Sequence, residues 1–377
     1  MEHKIKIYPV GNADCILVKL SNGKTIIFDC QIHADLYENG KQIWFDVKTD
    51  LLKELPKDSL NRPYVDLYVN THPHDDHCKG FEGNFYHGDP DKYDKDKDKD
   101  KIMIGELWVT TMLFKNDIAE SAEEIRREAK RRRSLYDNDK DFTGSKWNYL
   151  RIIGYDKDNE YDTRYGYIPG KVVDRANGTA FDWLSIFIHA PFKKDIETAK
   201  RDDDKNATSI VVQLRFSVEG KDNVCRTLFA GDAEHEIWQH ILDNNADDEN
   251  LRWNIFVAPH HCSWTFFNES NNKKDVLPSA SNIMELQIDG KSEVVASSKE
   301  ILNDQDNPPC YEAKQKYKEK LINSQNFFNT ATFDVNSSDI PQPITYIIGI
   351  TGKRKELEST KAAESVVSRP APRAGLK

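Results

Sequence analysis

The chain reads as an α/β protein that gathers a polar site at the ends of its strands, and three observations predict this. Apolar runs of strand length recur along the 377 residues, several of them ending in a His or Asp group. Two stretches carry helical character instead, and no apolar stretch approaches the roughly 18 residues that a membrane span needs. With 38% hydrophobic against 31% charged residues, a membrane-spanning chain is excluded.

The elements follow in order. KIKIYPV, then CILVKL, the turn SNGK and TIIFDC read as opening strands, with Asn22-Gly23 as a hairpin signal. VDLYVN delivers the cluster THPHDDHCKGF directly after a β-rich run. Residues 89–101 alternate Asp and Lys, a composition that buries nothing and predicts a solvated loop. Residues 117–135 predict a helix capped by Asn116 or Asp117, with acids in its first turns and bases in its last. Loops are expected over 136–180. WLSIFIHAPF, TSIVVQLRFSV, VCRTLFAGDA and NIFVAPHHCS read as strands, 310–322 as a second helix, and FFNTATFDV and ITYIIGIT as closing strands. The boundaries that follow are a domain over 1–352 with an insertion at about 84–180, and a flexible tail over 353–377.

Lys+Arg 53 against Asp+Glu 63 gives −10, so any nucleic-acid contact must come from a local basic patch. The six cysteines form no CxxC pair and residues 1–20 lack the continuous apolar core of a secretory signal, so a reduced, cytoplasmic protein is expected.

Residues 72–77 spell His-Pro-His-Asp-Asp-His. At a strand end, residues two apart point the same way, so His72 and His74 can grip one ion while Asp76 and His77 face a second. Imidazole with carboxylate suits zinc, with manganese or iron as alternatives where carboxylates dominate.

This pattern resembles the metallo-β-lactamase fold superfamily, and within it the hydrolase domain of bacterial competence (DNA-uptake) channel proteins and related phosphorylcholine esterases. IYPVGNADCILVKLSNGKTIIFDC is similar to that group's opening, with Asp14 and Asp29 at matching acidic positions, and NATSIVVQL, LFAGDAE and APHHCS follow in the group's order. The resemblance implies an αββα four-layer sandwich and two divalent metal ions. It places His72, His74 and Asp232 on the first metal, and Asp76, His77, His261 and the same Asp232 on the second. Asn206 stands where many members have a third His, and Cys262 where the group has Gly. Asp29 is expected in support of the ligands, His189 as a satisfied core histidine or in that same support, and Cys262 and Cys78 as packing residues.

Two bridged cations make hydroxide available near neutral pH, so hydrolysis is the expected reaction. Asp76 is the candidate general base and His260 the candidate donor to a leaving group, with Lys79 and Asn206 as anion-facing candidates. The bases at 126–133, Arg131 and Arg132 among them, followed by a Tyr-rich stretch, suggest a polynucleotide track, although Glu120, Glu123, Glu124 and Glu128 are within pairing distance on the same helix. Three functions are therefore expected to compete: a phosphodiesterase or nuclease, a small-ester hydrolase (phosphocholine-like, lactone or thioester), and a metal-bound scaffold whose protein partner docks on 84–180.

Overall fold

The computed structural model describes residues 1–115, 118–154, 162–333 and 340–356. The chain is a mixed α/β protein with two large sheets. The first takes β1 (His3–Ile7), β2 (Ile16–Lys19), β3 (Thr25–Phe28), β4 (Tyr64–Val69), β5 (Met103–Thr110), β6 (Tyr149–Ile153) and β7 (Gly166–Tyr167). The second takes β8 (Val172–Val173), β9 (Leu184–Ala190), β10 (Val211–Val218), β11 (Lys221–Phe229), β12 (Ile255–Val257), β13 (Glu293–Ala296) and β14 (Phe327–Asn329). The chain then returns to the first sheet as β15 (Ile344–Gly349) and β16 (Gly352–Lys355), giving the order β16-β15-β1-β2-β3-β4-β5-β6-β7.

Each sheet is antiparallel on one side and parallel on the other: β1 to β3 pair antiparallel and β3 to β7 parallel, while β8 to β11 pair antiparallel and β11 to β14 parallel. Parallel strands share the direction of their C-terminal ends, where open α/β sheets gather their ligands. Side-chain alternation sorts each strand. In β3, Ile26 and Phe28 join a core with Leu67 of β4 and with Ile186, Leu214 and Phe229 of the second sheet, so the sheets pack face to face. Ile27, between them, packs on the other face with Leu51 of α1 (Val47–Glu54) and with Ile125 and Ala129 of α2 (Glu123–Asn138). Beyond α3 (Lys193–Asp202), the outer face of the second sheet is covered by α4 (His235–Asn244), α5 (Pro278–Glu285) and α6 (Tyr311–Lys320), through Trp238, Ile283 and Tyr317.

Several expectations need correction. The segment 84–180 holds β5 and β6 within the sheet, all eight residues of β5 being buried, and 149–153 is strand rather than loop. The helix expected over 117–135 is α2, which runs over Glu123–Asn138 after a short turn at Glu120–Ala122, and the proposed caps Asn116 and Asp117 lie outside the described residues. Residues 353–355, assigned from sequence to the tail, complete the edge strand β16; 357–377 lie outside the described residues. Helices α1, α3, α4 and α5 and strand β13 went unpredicted. Among the described residues, no helix is long and apolar enough to cross a membrane.

Candidate metal centre

The first half of the site hangs on the end of β4. Asn70 N–H donates to Trp108 C=O on β5, continuing the parallel ladder, and the chain then turns through His72 and His74 into the helical turn Asp75–Cys78. Asp29, at the end of β3, anchors this turn: its carboxylate accepts from Thr71 N–H at 2.8 Å and from the Thr71 hydroxyl at 2.6 Å, and it lies 2.8 Å from His77 Nδ1. With the His77 Nδ1 proton committed to Asp29, the Nε2 lone pair faces the other way, toward Asp232.

The second half comes from the ends of β11 and β12. Asp232 follows Gly231, which has φ +49 and at which an added Cβ would meet Thr71 Oγ1 at 2.8 Å, so the close approach of the two halves requires glycine there. Ser209 Oγ accepts from Asp232 N–H. His260, His261 and Cys262 take φ of 49, 53 and 69, three successive left-handed residues without a glycine. Each costs about 1 kcal/mol or more, and the turn swings His261 inward. Its Nδ1 lies 3.1 Å from Ser297 C=O, which fixes the proton there and leaves Nε2 to the site.

The two halves converge. Asp232 Oδ1 lies 3.1 Å from His77 Nε2 and 3.5 Å from His261 Nε2, and its Oδ2 lies 3.5 Å from His72 Nε2. His261 Nε2 is 3.2 Å from Asp76 Oδ2, and His72 Nε2 is 3.0 Å from His74 Nδ1. Two nitrogens bound at 2.1 Å to one tetrahedral cation would be about 3.4 Å apart, the same range. Asp76, His77, Asp232 and His261 form one group able to hold a metal ion, and His72, His74 and Asp76 another. Asp76 is thus in reach of both pairs of imidazoles.

Three buried atoms at the centre, His77 Nε2, Asp232 Oδ1 and His261 Nε2, lack a hydrogen-bond partner among the described residues. Orphaned buried polar atoms cost about 1–3 kcal/mol each, and here all three point at one another as a cation's ligands would. The electrostatics agree. Against burial, Asp232, Asp29 and Asp76 hold the His77 imidazolium well above the ordinary histidine range, and Asp232 and Asp76 push His261 up to about 9. Burial likewise opposes the Asp232 carboxylate, yet His260, His77, His261 and His72 hold it well below the usual range. The cluster thus favours positive charge at its centre, as the ligands of a divalent cation do.

The remaining candidates separate. His260 is not grouped with the ligands. Its Nε2 stands 3.6 Å from Asp232 Oδ2, its Nδ1 3.4 Å from Glu234 Oε1 and 3.2 Å from Thr265 Oγ1, and it faces a cavity of about 500 Å³. Asn206 Nδ2 donates to Glu234 at 3.4 Å, and its Oδ1 has no partner among the described residues. Glu234 and Asp204, which share that cavity wall with His260, went unnoticed in sequence; the only signal was the proximity of Glu234 to Asp232. Lys79 is exposed after the Asp75–Cys78 turn.

One expectation narrows and two fail. His189 is buried on β9 with Nε2 2.9 Å from Asn250 C=O, away from the ligands, so it supports packing and not the centre. Arg132 is 2% exposed and donates to Glu128 and to the carbonyls of Ile104, Gly105 and Tyr149, which leaves it nothing for a substrate. Arg131 is committed to Glu128 and Asn148. Cys262 and Cys78 are buried in apolar clusters, as packing residues are.

No protein-family model and no curated protein matches the chain. Among solved structures, it is similar to "a possible metal-dependent hydrolase" from Veillonella parvula DSM 2008, at 9% identity and TM-score 0.36 over 86% of this chain and 95% of that one. It is also similar to isothiocyanate hydrolase from Delia radicum gut bacteria, at 13% identity and TM-score 0.37 over 87% and 96% of the two chains. Likeness at this level leaves the activity to be argued from the cluster itself.

Proposed function

We propose that the protein is a dimetal hydrolase built on the four-layer αββα sandwich of the metallo-β-lactamase fold, and that it cleaves a small phosphodiester rather than a polynucleotide. The observation that carries this reading is the set of orphaned buried atoms, His77 Nε2, Asp232 Oδ1 and His261 Nε2, converging between two strand ends. The donor set fits zinc. Two divalent cations would supply hydroxide near neutral pH and neutralise charge on the scissile group. His72, His74 and Asp232 would hold the first; Asp76, His77, His261 and Asp232 would hold the second. Asp29 and Ser297 fix the rings of His77 and His261 so that both present Nε2. His260, braced by Glu234, holds a proton toward the cavity for the leaving group.

Two features favour a small substrate. The cavity beside His260 is lined by Asp204, Glu234, Glu236 and Glu269, with no Lys or Arg among the described residues, a wall that opposes the many charges of a polynucleotide more than the single charge of a small phosphodiester. Arg131 and Arg132 of the basic helix, which would have tracked a strand, are spent on Glu128. Six free, buried cysteines support a reducing, cytoplasmic setting.

Metal analysis of the purified protein, with hydrolysis of bis-p-nitrophenyl phosphate and of single-stranded DNA before and after chelation, tests the proposal. The expected result is close to two equivalents of metal and chelator-sensitive hydrolysis of the small ester. Full activity after exhaustive chelation overturns the dimetal reading, and preferential cleavage of DNA overturns the substrate assignment.

A further inference from the structure

The turn between β1 and β2 touches both halves of the centre. Asn12 accepts from Lys299 N–H at 2.9 Å and donates to Pro308 C=O at 3.0 Å, tying the turn to the loop beyond β13. Ala13 C=O accepts from the Ser297 hydroxyl at 2.7 Å, and the carbonyl of that same Ser297 is the partner of His261 Nδ1. Asp14 N–H donates to Asp76 C=O at 3.3 Å, and Asp14 C=O accepts from Gln31 N–H at 3.0 Å. Two consecutive residues thus reach the two imidazoles of the second cation pocket: Ala13 reaches His261 through Ser297, and Asp14 lies beside His77, with Oδ2 4.0 Å from Nδ1.

Asp14 is 6% exposed, and its Oδ1 accepts no hydrogen bond among the described residues. Its neighbour Asp29 is different, being filled by Thr71, His77 and Asn70. Asp14 is not among the Asp76, His77, Asp232 and His261 atoms that converge on one point; it clusters instead with Asp29 and His77, on the Nδ1 side of that ring. A buried carboxylate with an uncommitted oxygen, fixed through its backbone to Asp76 and Gln31 and lying beside the His77 ring, is an arrangement that tunes a metal pocket from outside the ligand set.

We infer that Asp14 is a positioning residue for the second cation pocket, its uncommitted carboxylate oxygen raising the affinity of the Asp76, His77 and His261 set for a divalent cation. The inference rests on the dimetal reading. The test is titration of metal-free protein with cobalt(II) alone, followed by absorption, for wild type and Asp14→Asn; Asp14→Ser serves where the Asn variant does not fold by circular dichroism. The expected result is two equivalents in wild type, and in the variant one site unchanged and the other weakened about 10–100-fold. Both sites unchanged, with only the Tm of metal-free protein altered, makes Asp14 a merely structural charge and overturns the inference. Equal weakening of both sites overturns it as well, since the effect would then be general. Fewer than two equivalents in wild type removes the dimetal reading itself, and the inference falls with it.

Discussion

Glu128 and Arg132 on α2 and the His/Asp cluster at the strand ends are both buried groups of ionisable side chains, and they differ in what each leaves uncommitted. On α2, the buried stripe Ile125, Glu128, Ala129, Arg132 and Tyr136 follows helical spacing. Glu128 takes up two arginines and Gly88 N–H, and Arg132 takes up three backbone carbonyls of β5 and β6. The account there closes. At the strand ends it stays open, with His77, Asp232 and His261 each holding an atom without a partner among the described residues. A closed buried network holds the fold together; an open one whose free atoms are imidazole nitrogens and a carboxylate oxygen converging on one point is where a cation can bind.

The sharpest way to break this contrast is Asp232→Asn, which keeps size but removes the charge facing four imidazoles. Turnover should fall on the order of 10⁴-fold, with the circular dichroism spectrum retained; near wild-type hydrolysis of bis-p-nitrophenyl phosphate would end the bridging role. In the closed network the effect should be on stability instead. Glu128→Ala leaves Arg132 buried and unpaired, and chemical denaturation should show a loss of about 3–5 kcal/mol with bound metal per folded chain unchanged. A loss below 1 kcal/mol would mean that the network is dispensable.

A milder test uses acid. Burial raises the Glu54 carboxyl, but Lys6, Lys4 and Lys19 bring it down to about 2 in the folded chain. A carboxylate depressed on folding contributes stability above its ordinary value near 4.5 that is lost as pH falls toward 2. Glu54→Gln should therefore flatten the acid limb of the stability profile in that window and leave stability near pH 7 lower than wild type. Parallel profiles would refute the assignment. The smallest effect is expected at Cys262→Gly: relief of about 1 kcal/mol of left-handed strain offsets the lost burial of the thiol and its methylene. The midpoint of denaturation should move by less than about 1 kcal/mol in either direction, and a larger loss would show that packing dominates at this position.

What could be read from the sequence follows the same division. His72, His74, Asp76 and His77 fall within six residues, so local spacing alone exposes them. Asp232 and His261 became visible only as a Gly-Asp and a His-His after strand-like runs. Strand β5 escaped because MIGELWVT sits behind the Asp/Lys loop and carries Glu106, whose burial is explained only by Trp108, Asn177 and Arg151 closing around it. Arg132 was misjudged because spacing on a helix does not tell a solvated face from one pressed on a sheet. Glu234 was missed because its role depends on His260, 26 positions away, arriving by a left-handed turn.

The split origin of the ligands has a thermodynamic consequence. His72 and His77 belong to the first sheet and Asp232 and His261 to the second, so whatever binds all four binds only when both sheets are folded against each other. Such a ligand acts as a reversible cross-link whose strength is set by concentration: at one hundred times its dissociation constant it adds about 2.7 kcal/mol to folding. The melting temperature of this protein should then report the free metal in the buffer, and two preparations differing only in chelator would look like two proteins of different stability.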